Sequence, residues 1–173
     1  MNKPAARMFV MVGAKFACVK VVGRADVAAS VDFRTLVSEL RQKGYTFFVL
    51  DLSECLLMDS TFLGVLAGFG LQMAPARPEE ETPAIELLNP NSRITELLEN
   101  LGVLHLFKLT HNAAPVTGGC EPQEFSPVCK GKEEVTRACL EAHQTLMAID
   151  PRNISKFKEV TAFLAEDLKR LKA

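Results

Sequence analysis

The stretch that most constrains this chain is a short apolar run handing over to a helix with almost no polar face. Residues 47–73 read FFVLDLSECLLMDSTFLGVLAGFGLQM. The opening segment, 47–52, has the length and the β-branched and aromatic character of a buried strand. Asp59-Ser60-Thr61 follows, and then residues 62–76 pass without one charged side chain. Asp and Ser cap helix N-termini because their side-chain oxygens accept bonds from amides that have no partner inside the helix. The pattern predicts a helix over 61–74, ended by Pro75, with Ser60 at the tip of the turn that starts it. Between Phe62 and Ala74 only Gln72 breaks the run of apolar and small residues. A helix apolar on all sides has to be covered, and Gly64, Gly68 and Gly70 permit another backbone to come close. This helix is therefore expected to pack on a sheet with one side. Its other side should meet either the C-terminal helices or a second subunit.

The preceding and following segments supply the sheet. Residues 8–12 and 16–22 are strand-like around Gly13-Ala14, a tight turn. Gly23 to Asp26 lead into a helix over 30–43, with Ser30 as its cap, Phe33, Leu36, Val37 and Leu40 on one face, and Gly44 as its stop. Residues 75–83 form a loop carrying three prolines and the solvated run Glu79 to Glu81. A strand at 85–88 follows. Asn89 to Ser92 cap a helix running to Asn100, with Ile94, Leu97 and Leu98 inward and Gly102 just past its end. Residues 103–109 end in a last short strand. The order ββαβαβαβ predicts an α/β fold with a mixed sheet and helices packed on it.

Composition changes at Ala113. Residues 113–131 hold three prolines and three glycines with few large apolar side chains, the signature of a linker. Beyond it, Val135, Cys139, Ala142, Leu146 and Ile149 recur at helical spacing, as do Ile154, Phe157, Thr161, Leu164, Leu168 and Leu171. Each set is a seam for packing along another helix. Asp150 and Pro151 sit between them as a cap and a first helical residue. The expected organisation is a domain over 1–112, a linker over 113–131 and an αα-hairpin over 132–173. Two helices of this size are too small to stand alone, so the hairpin should dock on the domain or on a second copy.

Met58-Asp59-Ser60-Thr61-Phe62-Leu63-Gly64-Val65 resembles the Asp-Ser-Ser/Thr-Gly-Leu-Gly motif of STAS domains, the sulfate transporter and anti-sigma factor antagonist family. Gly23 to Asp26 before the first helix and residues 93–107 (RITELLENLGVLHLF) fall in the family's order, so the resemblance covers roughly residues 8–112. It implies a STAS-like mixed sheet with packed helices. It also implies a regulatory module of the partner-switching kind, which binds a kinase-type anti-sigma factor and is reset by a phosphatase. The phosphorylated residue would be Ser60, with Thr61 the second choice, and Asp26, Asp59, Phe62 and Gly64 would belong to the partner-binding surface around the helix tip. Phe62 stands where the family usually has Gly. On the residues alone, a cap is the simpler role for Ser60 and Asp59, and Asp26 is equally explained as a turn residue. The rival function is a STAS-like structural or assembly subunit without phosphorylation, self-associating through helix 62–74 or through the hairpin. Phe62 and the extra hairpin favour it.

Apolar residues at 48% and charged residues at 24% are those of a soluble globular protein. A net charge of −1 gives no electrostatic case for nucleic acid. The apolar N-terminal run is broken by Lys15, which argues against a signal peptide, and no stretch reaches membrane-spanning length. A cytoplasmic protein is expected. Five cysteines without a secretion signal suggest reduced thiols. Cys18 and Cys55 fit as small buried side chains. Cys139 and His143 share a helix face at i, i+4, and Cys120 and Cys129 precede them. The spacing fits no standard zinc pattern, so neither metal nor cofactor is expected. His105 and His111 flank the last strand as ordinary surface residues. Without a phosphate loop, a serine elbow or a zinc helix, the sequence predicts no enzyme.

Overall fold

The sheet is built around a ten-residue strand that has partners on both sides. The computed structural model describes residues 6–74, 83–114, 121–127 and 130–172. β1 (Arg7–Val12) and the central strand β2 (Phe16–Ala25) form an antiparallel hairpin in which Val10 pairs with Val19. Then come α1 (Val27–Gln42), β3 (Phe47–Asp51), β4 (Cys55–Met58), α2 (Ser60–Met73), β5 (Ile85–Leu88) and α3 (Ser92–Asn100). β6 (Lys108–Thr110), β7 (Gln123–Phe125), α4 (Lys132–Ile149) and α5 (Asn153–Lys172) complete the order. The strands run β6-β5-β3-β2-β1-β7, with β4 on the far end of β2. The crossovers through α1, α2 and α3 make β2, β3, β5 and β6 parallel, while β1 is antiparallel to both neighbours. This is the mixed α/β architecture that the sequence predicts, and α4 and α5 form the expected hairpin.

Four local departures have physical causes. α1 begins at Val27 and is capped by Asp26, whose Oδ1 accepts the Ala29 amide proton at 3.0 Å. Ser30, the expected cap, is buried inside the helix and turns its hydroxyl to the Val27 carbonyl. β4 occupies what reads as a connection: Cys55 and Met58 are buried and Leu56 is exposed, so the segment pairs with the end of β2. Residues 104–106 form a 3-10 turn ahead of β6, which shortens the expected last strand. Part of the stretch expected to be linker is β7, which closes the free edge of β1 and is held there by an Arg7–Glu124 ion pair of 2.8 Å.

Ala17, Val19 and Val21 of β2, with Phe48, Leu50 and Leu87, face the helices and form the main core. Cys18 points to the opposite side, where it joins Val49 and Leu88. Burial pushes the Cys18 thiol up to about 11. No helix among the described residues is long and apolar enough to cross a membrane.

α2 is covered on both sides. Phe62, Leu63, Leu66, Ala67, Phe69 and Met73 are all buried. Of the two covers the sequence leaves open, the one present is the hairpin: α4 lies against α2 and α1, and α5 packs on α4. The backbones come close at Gly64, where an added Cβ would stand 2.4 Å from the Ala142 carbonyl oxygen. At the hairpin's turn the fully buried Asn153 donates from Nδ2 to the Leu146 carbonyl at 2.8 Å and to the Leu101 carbonyl at 2.9 Å. Lys156 Nζ adds a bond to the Asn100 carbonyl at 2.8 Å. With Asn153 taking the inward position, Ile154 is exposed instead of lying in the seam, whereas Phe157 and Thr161 face inward as expected.

The two glycines four residues apart on α2 are expected to respond to alanine with opposite signs. Gly64→Ala forces the methyl group into the α4 backbone and should cost on the order of 1–3 kcal/mol. At Gly68 the nearest atom to an added Cβ is Thr145 Cγ2 at 4.0 Å. Gly68→Ala should therefore gain roughly 0.5–1 kcal/mol from helix propensity. Urea unfolding of both variants checks this, and equal shifts would contradict the close approach.

Candidate functional site

The register between β2 and β4 creates the site. Ala25 pairs with Met58, so the next residues, Asp26 and Asp59, emerge side by side. The Asp59 amide donates to the Ala25 carbonyl at 3.0 Å, fixing this arrangement. Each aspartate caps the helix it precedes: Asp26 caps α1, and Asp59 Oδ1 accepts the Phe62 amide proton of α2 at 2.9 Å. Two helix N-termini thus begin next to each other, each contributing about half a positive elementary charge. Burial pushes the Asp59 carboxyl up from its ordinary value, and the neighbouring Asp26 adds to this, against the opposing pull of the Phe62 amide.

Ser60 is the first residue of α2 and is half-buried. Its Oγ lies 2.9 Å from His143 Nε2 on α4. His143 Nδ1 is 2.7 Å from the Cys139 carbonyl oxygen, which can only accept, so Nδ1 carries a proton. In the neutral imidazole Nε2 is then the acceptor, and the Ser60 hydroxyl donates to it. On its other side the imidazole packs against Phe157 of α5, with ring centroids 4.8 Å apart. Thr61 is buried, and its Oγ1 lies 3.3 Å from Cys139 Sγ. The hydrogen bond from His143 holds the Cys139 thiol below its ordinary value, with burial opposing. Burial works against charging His143, yet the Cys139 thiol and carbonyl and the Asp59 carboxylate outweigh it, and the imidazole is held above 6.5.

Asp26, Asp59, Ser60 and Thr61 are therefore brought together as the sequence suggests. Phe62 and Gly64 are not exposed around them. Phe62 is fully buried with its ring 4.9 Å from that of Phe33, because its place in the first turn of α2 points it into the core. Gly64 is buried beneath Ala142. As folded, neither presents a surface to another protein. The residues that sequence reasoning placed elsewhere are Cys139 and His143. Their i, i+4 spacing puts them on one helix face, but nothing in the sequence says that its counterpart is Ser60-Thr61. Among the described residues no group of three or more His, Cys, Asp or Glu could hold a metal ion. Cys120, Cys129 and the Glu79 to Glu81 run lie outside the described residues. His105 and His111 are exposed.

The same architecture occurs in the anti-sigma factor antagonist SpoIIAA in its unphosphorylated form, with a TM-score of 0.51 and 18% identity. That match covers 62% of this chain and 90% of SpoIIAA. An anti-sigma factor antagonist from Mycobacterium paratuberculosis matches with a TM-score of 0.50 and 15% identity, over 63% of this chain and 89% of that one. The chain has a STAS fold. No family model matches the sequence, and no curated protein does either. Both structural matches leave more than a third of the chain uncovered, and the α4–α5 hairpin is what the STAS resemblance does not account for.

The raised His143 pKa has a defined sign. Because the folded state favours the imidazolium, the resulting stability is fully present below the unfolded value of 6.5 and is lost as pH rises through the higher folded value. The melting temperature of wild type relative to His143→Gln should therefore be higher at pH 6 (roughly half a unit under the free-imidazole value) than two units above that. Thermal melts of both proteins across this range check it; a pH-independent difference would contradict the assigned environment.

Proposed function

We propose that this chain is a regulatory protein-binding module of the partner-switching kind, controlled by phosphorylation of Ser60, and not an enzyme. In the unphosphorylated form it would bind a kinase-type anti-sigma factor at the surface around Asp26, Asp59 and Ser60. Phosphorylation would end that binding, and a phosphatase would restore it. The observation that carries this is the position of Ser60: the first residue of a helix, half-buried, beside a second helix N-terminus. A phosphoryl group there adds about −1.5 to −2 charge against two positive helix ends. It also meets the Asp26 and Asp59 carboxylates, so the surface becomes much more negative. Like charges forced together at an interface can cost several kcal/mol. Thr61, buried against Cys139, offers no accessible hydroxyl, which leaves Ser60 as the acceptor.

A second function, a STAS-like assembly subunit without phosphorylation, has one observation in its favour: the Ser60 hydroxyl is already engaged by His143 within the same chain. Self-association would then use the hairpin, where Val160 and Phe163 of α5 are exposed, because the outer side of α2 is taken by α4.

Phosphorylation separates the two. Wild type and Ser60→Ala, each isolated from the cells that naturally make the protein, are compared by intact mass. A phosphate on wild type that is absent from Ser60→Ala is the expected result. No phosphate on either, under conditions where endogenous kinases are active, would leave the assembly function standing.

A further inference from the structure

The contacts of α4 reach beyond stability, because they fall on the two places that a partner or a kinase would need. One is Ser60 Oγ, bonded to His143 Nε2. The other is the face of α2 around Gly64, where the carbonyl and methyl group of Ala142 already sit within 2.4–2.6 Å of a would-be Cβ. We propose that the α4–α5 hairpin is a built-in competitor for the switch surface: docked α4 and a phosphorylated or partner-bound Ser60 exclude each other. This rests on the reading of Ser60 as the phosphoacceptor and of the α2 tip as the docking surface.

The exclusion is steric before it is electrostatic. A hydroxyl and an imidazole nitrogen at 2.9 Å leave no room for a phosphorus and three further oxygens between them. The imidazole is hindered from withdrawing on two sides. Its Nδ1 is committed to the Cys139 carbonyl at 2.7 Å, and its outer face is closed by Phe157. Accommodating a phosphoryl group therefore moves α4 itself and not one side chain. A positively charged His143 could still pair with the phosphate afterwards, but only from a displaced helix. The carboxylates of Asp26 and Asp59 on the α2 side add repulsion to any anion held in the closed arrangement.

What holds α4 down is not uniformly strong. Near its middle α4 is seated by the small buried side chains Ala138 and Ala142, and its ion pair to α1 there, Arg34–Glu141 at 2.8 Å, has both side chains nearly half exposed. Pairs of this kind contribute little each. The hairpin's turn, by contrast, is tied by the buried Asn153 to α3. Release is thus expected to loosen the α4 segment that faces Ser60 and to leave the turn in place.

Hydrogen exchange on the full chain tests this without an identified kinase. In Ser60→Glu, amides of α4 between Thr136 and Leu146 should exchange about tenfold faster or more, while β3 and β5 keep their protection. Unchanged α4 protection in a folded Ser60→Glu protein would overturn the proposal. If β3 and β5 lose protection as well, the glutamate has unfolded the chain and His143→Ala decides instead. That variant adds nothing to α2 and should speed α4 exchange about fivefold; no change overturns the competitor role. The second arm is a disulfide between Gly68→Cys and Thr145→Cys, positions that face each other across α2 and α4, an added Cβ at 68 standing 4.0 Å from Thr145 Cγ2. Incubated with ATP and an extract of the producing cells, the oxidised form should gain less than a tenth of the Ser60 phosphate found on the same protein after reduction. Equal phosphate in both forms would overturn the competition. No phosphate in either form, with changed α4 exchange in Ser60→Glu, would instead count against Ser60 as a phosphoacceptor while leaving the latch intact.

Discussion

The close approach of α4 to α2 at Gly64 is the constraint on which the rest of the arrangement depends. A helix with almost no polar face has to be covered on every side. The sheet and α1 take the inner sides through Phe62, Leu63, Leu66 and Phe69, and α4 takes the side around Gly64, leaving Leu71 exposed near the C-terminal end. With no side chain at position 64, the α4 backbone comes near enough to set Cys139 and His143 against Thr61 and Ser60. A larger residue at 64 would hold the helices apart and break those polar contacts together. Packing and chemistry at this site are therefore one event.

The electrostatics follow from strand register. Pairing Ala25 with Met58 sends two capping aspartates out side by side and starts two helices from one edge. Each carboxylate is satisfied by its own helix, and each helix end is partly neutralised by its cap. Ser60 sits at this junction with its hydroxyl turned to His143. The site thus combines a half-buried hydroxyl, two positive helix ends and an intramolecular cover. The first two are what a phosphorylation switch needs; the third is what would regulate access to it.

Much of the fold was legible from periodicity and caps, because the signals there are local. The buried strand, the Asp59-capped helix, the Asn91 cap of α3 and the first hairpin helix stand where residue spacing puts them, whereas α5 starts at Asn153, past the expected Asp150 cap and Pro151, and Asp150 ends α4 instead. What sequence could not supply was pairing between distant segments. β4 and β7 are too short to announce themselves, and each exists because an edge or a strand end was free to pair. Ser30 resembled a cap as well as Asp26 does; the end of β2 decided between them. Phe62 stands where the resembled family usually has Gly and was expected on the partner-binding surface, whereas its place in the first turn of α2 turns the ring into the core against Phe33. The Cys139-His143 pair carried a visible signal, a shared helix face, but its counterpart lies far away in sequence, so a metal could be weighed and set aside while Ser60 went unmatched to it.

The account's central claim is that Ser60 and His143 touch and that this contact helps seat α4. A double-mutant cycle measures it most directly: urea unfolding of wild type, Ser60→Ala, His143→Ala and the double variant. Direct contact predicts a coupling energy of about 0.5–1.5 kcal/mol, with the double variant less destabilised than the sum of the single ones. Additive single effects, leaving no coupling, would contradict the contact and with it the placement of α4 over Ser60.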